Sequence, residues 1–265
     1  MHLFLAPHYD DAVLSVGGLI HRLVQQGKRV TVRTVMGGKP SPDKVPDTPM
    51  TRDLHERWAA GEDPVEARII EDRAAVESLG AQADRLLVWM DCIYRLSRTG
   101  TPLYPTLDSI FGVIHRDDVA GELLPTMVLP PHQLVRAIYA PLGVGHHVDH
   151  QIVRNWALEL HQQYPWVALN FYEEYPYREE ENAVAEALTF FESLKKPPQL
   201  NAEVMPLDEA DVAAKVAAIG FYTTQISSFW LNKTAMEAAV RASLNRTGGG
   251  QPAERLWRVG QSFQQ

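Results

Sequence analysis

The chain has 265 residues, 45% of them hydrophobic, which suffices for one large α/β domain or two small ones around an ordinary core. Its 33 acidic residues outnumber 25 Lys plus Arg, giving a formal charge of −8 that repels nucleic-acid phosphates and anionic lipid, and no basic patch offsets it. Cys92 is the single cysteine, so an intrachain disulfide is excluded and a reducing compartment is allowed; no stretch reaches the ~18 apolar residues of a membrane span, and Met1 to Pro7 lacks the long apolar run and basic flank of a signal peptide. A soluble, cytoplasmic protein that binds no nucleic acid is expected.

Leu3 to Ala6 is a short apolar run ended by Pro7, and Val13, Val16, Ile20, Leu23 and Val24 follow at helical spacing before Gly27. This reads as strand, tight turn, helix. Lys28 to Met36 sets Val30, Val32 and Val35 among polar residues and stops at Gly37-Gly38, as a second strand would. A βαβ unit therefore opens the chain and implies a parallel sheet. Residues 39–63 carry Pro40, Pro42, Pro46 and Pro49 and read as a long surface loop of the lid type, with a helical turn around 54–60. Asp63-Pro64-Val65-Glu66 starts a helix, with Asp63 as N-cap and Pro64 at the first position; Val65, Ile69, Val76 and Leu79 form its apolar face and Gly80 ends it. Leu86 to Trp89 is the next expected strand, and residues 91–131 read as irregular.

Leu134 to Ala140 is a strand whose end delivers Pro141 to Asp149, and Ile152, Val153, Trp156 and Leu160 mark the helix after it. A strand at Trp166 to Tyr172, a helix at Asn182 to Leu194, a helix from Asp208 carrying Val212, Val216 and Ile219, and a terminal strand at Arg255 to Val259 complete the reading. With no internal repeat, heptad run or clear linker, a single doubly wound α/β domain is the economical architecture, its sheet mainly parallel with helices on both faces.

In such a sheet, ligands sit beyond the carboxyl ends of the strands. His8 to Asp11 follows the first strand, and His147 to His150 follows the strand containing Ile138, so two distant segments can meet. A catalytic zinc takes three protein ligands and leaves a fourth position open, and His8, Asp11 and His150 supply such a set. Zinc so held keeps a net positive charge, lowering the pKa of a water toward ~7 and polarising a carbonyl. Asp10 is then available as general base, and His147 can donate to a developing oxyanion or a leaving nitrogen, with Asp149 as the partner holding its ring. Spacing alone does not rank Asp10 against Asp11, since neighbours on a turn can each face the metal.

Blander roles compete. Asp10 and Asp11 could be an N-cap and a dipole-favoured acid, Asp149 could cap the Ile152 helix, and His146-His147 could be solvated loop residues. The pairing of two His-and-Asp clusters, each at a strand-to-helix turn, favours the metal site. Arg68 either pairs with Glu71 or Asp72 on its own helix or faces a substrate. Trp58, Trp89, Tyr94 and Tyr104 could stack on a sugar, although packing is the commoner role. Cys92 reads as a core or loop thiol, and His21, His55, His115, His132 and His161 as surface or packing residues.

Pro7-His8-Tyr9-Asp10-Asp11, with Gly17-Gly18 after it, resembles the His-x-Asp-Asp signature of the LmbE-like, PIG-L family of zinc de-N-acetylases, and His147-Val148-Asp149-His150 resembles the family's second motif. Arg68 to Asp72 with Leu79-Gly80 is similar to its Arg-x-x-Glu helix, and Tyr222 to Gln225 to its late Tyr-x-x-Gln segment. The likeness spans about the whole chain, one domain over residues 1–265. It implies a Rossmann-like fold with zinc held by His8, Asp11 and His150, Asp10 as base, His147 acting on the oxyanion or leaving amine, and a small-molecule amino-sugar substrate near Arg68; a homo-oligomer stays open. Members deacetylate lipid-, thiol- and glycopeptide-linked N-acetylglucosamine, while a few relatives cleave other amides or hydrate double bonds. A zinc hydratase or lyase on the same scaffold is therefore the alternative, and a non-catalytic metal- or sugar-binding module a third, against which an intact Asp10 argues. The sequence departs from the pattern at Tyr9, Ala12, His146 and Val148, and Gly145 stands where some members carry a Tyr, leaving Tyr172, Tyr175 and Tyr177 as substitute phenols.

Overall fold

Side-chain alternation in the first strand sets the layering. In β1 (His2–Ala6), Phe4 and Ala6 enter one apolar cluster and Leu3 and Leu5 another, so both faces must be covered by helices. The computed structural model describes residues 1–58, 61, 63–129 and 134–260; His132 lies outside them. In chain order β1 is followed by α1 (Asp11–Gln25), β2 (Val30–Thr34), α2 (Pro49–Trp58), α3 (Pro64–Ser78), β3 (Gln82–Arg85), α4 (Leu107–Ile110) and α5 (Val119–Leu123). Then come β4 (Ala137–Pro141), α6 (Val148–Gln163), β5 (Ala168–Tyr172), α7 (Ala183–Glu192), β6 (Leu200–Pro206), α8 (Glu209–Ile219), α9 (Thr223–Phe229), α10 (Lys233–Thr247) and β7 (Ala253–Val259).

The seven strands form one sheet in the order β3-β2-β1-β4-β5-β7-β6. Pairings from β3 through β5 are parallel, whereas β7 runs antiparallel to both β5 and β6. Helices α1, α3, α8 and α10 cover one face and α6 and α7 the other. The chain turns outward in opposite directions from β1 and β4, which are neighbours, and this reversal opens a crevice at their carboxyl ends. No described helix is long and apolar enough to cross a membrane.

Two expectations shift. The strand sought at Leu86 to Trp89 lies earlier, at β3, and Leu87 and Val88 are 67% and 70% exposed. As an edge strand, β3 pairs only with β2, so its own residues need not be apolar, and the apolar run beside it was a misleading guide. The described residues of the segment 39–63 are no free lid: α2 sends Met50 and Trp58 into a third cluster with Ile69, Tyr94 and Val148, making a packed roof over the crevice. Strand β6 and helices α9 and α10 carried no periodic signal; β6 exposes Asn201, Ala202 and Val204 at the far edge and is held by its register on β7.

Helix α1 breaks at Val16, where φ is −136°. The break frees backbone groups in a dry core, and two side chains from distant elements meet them: Lys215 Nζ donates to the Ser15 carbonyl (3.0 Å), while Glu254 accepts from Gly18 N (3.1 Å) and Leu19 N (2.8 Å). Lys215 and Glu254 are themselves 2.7 Å apart and almost wholly buried. Gly18 is required there, because a Cβ would come within 2.5 Å of Leu207 Cδ1. Lys215→Met is expected to cost about 3–5 kcal/mol, since it leaves Glu254 buried without its cation. Chemical denaturation showing a loss under about 1 kcal/mol would mean that the pair is not what closes this break.

Candidate active site

Strand β1 ends at Ala6 and the turn that follows lowers His8, Asp10 and Asp11 into the crevice, all buried. Strand β4 ends opposite, and its turn brings His147, Asp149 and His150 to the same place. The centre of the meeting is one carboxylate oxygen. Asp11 Oδ2 accepts from the His8 backbone N–H at 2.7 Å and lies 3.4 Å from both His8 Nδ1 and His150 Nε2. Donor atoms on a tetrahedron with ~2.1 Å bonds are spaced at about this distance. His150 Nε2 is buried with no hydrogen-bond partner, a cost that a bound cation would remove. Donor atoms that all lie within 4.8 Å of one another are instead those of His8, His147 and His150, with His147 in the place of Asp11. His147, however, is engaged elsewhere: its Nδ1 accepts from Asp149 N (3.2 Å) and its Nε2 is 3.9 Å from Cys92 Sγ.

The far sides of the two imidazoles are held by carboxylates, an arrangement that fixes ring orientation around metals. His8 Nε2 meets Asp149 Oδ2 at 2.9 Å, and His150 Nδ1 meets Glu174 Oε1 at 3.2 Å. The Asp149 carboxylate thus serves His8 rather than the ring of His147; it is the Asp149 backbone amide that reaches His147 Nδ1 and leaves the proton of a neutral ring on Nε2. Asp149 is in turn tied to the Cys92 amide (2.9 Å) and to Arg95 (2.5 Å), which also pairs with Asp118 (2.9 Å). Glu174 further accepts from the Gly143 and Val144 amides at 2.7 and 3.1 Å.

Asp10 occupies the N-cap position of α1 but makes no capping bond, so the capping explanation does not account for it. Its φ of 117° lies in a region that a residue with a Cβ rarely adopts. Burial pushes its carboxyl up, to about 8, against the pull of Arg68. Asp11 moves the other way: burial would raise it, but His150 and His8 hold it well below the usual carboxylate range. Burial would lower His8, yet Asp91, Asp11 and Asp149 raise it well above an ordinary imidazole; His150 is likewise carried to about 9 by Asp11 and Glu174 despite burial. Burial together with His8 and His150 pushes His147 well below. Two imidazoles that favour positive charge among buried carboxylates show that the surroundings favour a cation at this place.

Arg68 pairs with neither Glu71 nor Asp72. It is buried under the site, donates to the Tyr9 carbonyl (3.2 Å), stacks its guanidinium 4.5 Å from the Trp58 ring centre, and lies 3.8 Å from Asp10 and from Asp91. The two acids on its helix instead tie down the late Tyr222 to Gln225 segment: Asp72 accepts from Tyr222 OH (2.8 Å) and Glu71 from Thr224 N (3.0 Å). Of the three tyrosines, Tyr172 is bound to the Leu5 carbonyl (2.9 Å) and Tyr175 stacks on Trp230, whereas Tyr177 sits edge-on to His150 at 5.9 Å. Gly145, with φ +81°, makes room for it, since a Cβ would lie 2.9 Å from Tyr177 Cγ. Asp91, Cys92, Arg95 and Glu174 carried no motif signal; Glu174 alone had a usable cue, an acid just past the end of a core strand.

The model of the PIG-L family, described as GlcNAc-PI de-N-acetylase, matches residues 3–161, more than half of the sequence and both motif turns. The chain belongs to the PIG-L family. It is similar to a 2'-N-acetylparomamine deacetylase of Niallia circulans, 29% identical over 192 residues that make up 68% of each protein. Among solved structures it superimposes on teicoplanin deacetylase Orf2 in its zinc-inhibited form, with a TM-score of 0.81 and 23% identity over 100% of this chain and 99% of that one. The A40926 pseudoaglycone deacetylase Dbv21 gives 0.73 and 24% over 100% and 98%. These two likenesses show a shared fold.

If the Asp10 backbone is strained, glycine should tolerate that φ where alanine cannot. Asp10→Gly is expected to melt above Asp10→Ala, by the ~1–3 kcal/mol of a forbidden φ less the ~0.5–1 kcal/mol entropic cost of glycine. Thermal melts in which the alanine protein is equal or better would remove strain from the account.

Proposed function

We propose that this chain is a zinc-dependent amide hydrolase that removes an N-acetyl group from an amino sugar or amino-sugar conjugate, with residues 1–265 acting as one deacetylase domain. The observation that carries this reading is Asp10: a buried, uncapped carboxylate beside, and not within, the set formed by His8, Asp11 and His150. A pure binding module has no use for such a group. The proposed ligands are His8 Nδ1, Asp11 Oδ2 and His150 Nε2, whose imidazole and carboxylate chemistry with an open position suits zinc. Zinc bound there supplies Lewis-acid chemistry, acidifying a water and polarising the amide carbonyl.

The protein's own groups divide the proton work. Asp10 accepts a proton from the attacking water as its oxygen bonds to the carbonyl carbon, then returns that proton to the nitrogen as the C–N bond breaks, yielding the free amine and acetic acid, which loses its remaining proton to solvent as acetate. His147, neutral with its proton on Nε2, donates a hydrogen bond to the oxyanion of the tetrahedral carbon. Asp149 holds the His8 ring and Glu174 the His150 ring. Arg68, beside Asp10 and Asp91, is assigned a substrate-contacting role through hydroxyl recognition. The relatives named for deacetylation of paromamine and glycopeptide antibiotics support an amino-sugar conjugate as substrate.

Two neighbouring substitutions test the assignment. Asp10→Asn should keep zinc while losing ~10²- to 10⁴-fold in turnover, the cost of a missing general base. Asp11→Asn and His150→Ala should lose zinc and activity together. Acetate release from a panel of N-acetyl amino sugars, beside zinc analysis of each variant, decides it. Zinc lost from Asp10→Asn but kept by Asp11→Asn exchanges their roles, and hydration of unsaturated acids without any acetate release overturns the reaction itself.

A further inference from the structure

Asp10 holds its φ of 117° although its side chain makes no capping bond, so the support must come from outside its own turn. That torsion is settled once the peptide before Asp10 and the one after it are both held. On the following side the Asp10 carbonyl accepts from Leu14 N (2.9 Å), which ties it to α1. On the preceding side, α3 takes both polar atoms of the Tyr9–Asp10 peptide: Arg68 donates to the carbonyl oxygen (3.2 Å), and Asp72 accepts from the N–H. Residues 68 and 72 stand one turn apart on the same face of the helix, so one rigid element grips this peptide at both ends. Asp72 is itself locked. Its buried carboxylate also accepts from Tyr222 OH (2.8 Å), at the start of α9, and from Thr34 Oγ1 (3.1 Å), at the end of β2.

We propose that Asp72 is a positioning residue for the general base: together with Arg68 it clamps the Tyr9–Asp10 peptide in the orientation that keeps the Asp10 carboxylate beside the metal ligands. The inference rests on the reading of Asp10 as that base. A backbone N–H buried at this place needs an acceptor, and a carboxylate fixed by two hydroxyls from distant segments supplies one that cannot swing away. Without it, residue 10 is free to relax out of the positive-φ region and to carry its carboxylate off the line of the attacking water. Asp11 has an anchor of its own in the His8 N–H, so the ligand set does not depend on the clamp. Asp72 therefore acts on the rate through Asp10 and leaves the metal in place.

The test is Asp72→Leu, close in shape to aspartate but without acceptors, measured for zinc content, kcat and KM in the parent and in Asp10→Asn. The expected result is a kcat lower by ~10²-fold, the cost of a small misplacement, with zinc content and KM kept. The same change in Asp10→Asn should cost nothing further, because the base that it displaces is already gone. Asp72→Asn should recover most of the rate: its amide oxygen can serve the Asp10 N–H while a neighbouring hydroxyl turns to accept from its NH2 group. If the orphaned Tyr222 hydroxyl keeps Asp72→Leu from folding, Asp72→Leu combined with Tyr222→Phe removes both partners and carries the same comparison. Equal losses in the two backgrounds, or zinc lost together with the rate, would mean that Asp72 only supports the fold, and overturn the proposal. A zinc-loaded parent that releases no acetate fails the deacetylase reading instead, and crystals of the same Asp72 variant then decide the clamp. It is overturned if residue 10 keeps a φ near 117°, and upheld if the peptide turns while His8, Asp11 and His150 stay in place.

Discussion

Asp11 Oδ2 is the point on which the site is hung. It receives a backbone N–H from its own turn and faces one nitrogen of each imidazole at the same 3.4 Å. That geometry exists only because β1 and β4 are adjacent, parallel and in register, so that His8 and His150 emerge from neighbouring strand ends. A slip of one residue in either strand would turn its side chains to the opposite face and part the two motifs. The packing of both hydrophobic layers, which fixes that register, is therefore a condition of the chemistry.

Placing so many charges out of water is costly, and the structure offsets the cost by giving each acid a different duty. Asp149 and Glu174 each grip the outer nitrogen of one histidine, and Arg95 steadies Asp149 from behind. Asp10 has Arg68 at 3.8 Å and makes no capping bond through its side chain. Two consecutive aspartates are thus driven apart, Asp11 toward permanent ionisation and Asp10 toward ready proton exchange. Such a divergence between neighbouring acids is what the proposed division into a ligand and a base requires.

The roof over the crevice follows the same economy. Helix α3 carries Arg68 beside Asp10 and Asp91, and α2 supplies Trp58 as the surface on which its guanidinium stacks. On the opposite rim the missing side chain at Gly145 admits the ring of Tyr177 beside His150, with Phe111 edge-on to both Tyr177 and His147. The wall of the site is therefore aromatic on one side and cationic on the other, contrasting surfaces suited to a ligand with both a sugar face and hydroxyl groups.

The alternation of Leu3, Phe4 and Leu5, the helical spacing after Asp11, and the punctuation by Pro7, Pro64 and Gly80 are local effects, and they were legible in the sequence together with the sheet type and the two His-and-Asp turns. Local physics did not reach the edges: β3 and β6 are held by hydrogen bonds to β2 and β7 more than by their own pattern, so periodicity misplaced one and missed the other. Nor could it choose between partners of a charged group. Arg68 turned to Asp10 and Asp91 instead of the acids on its helix, the Asp149 carboxylate went to His8 instead of His147, and Glu174 and Cys92 joined the centre without any motif of their own. These outcomes depend on which distant backbone closes over a side chain, and the sequence separation of 141 from His8 to Asp149 is bridged only when the strands have paired.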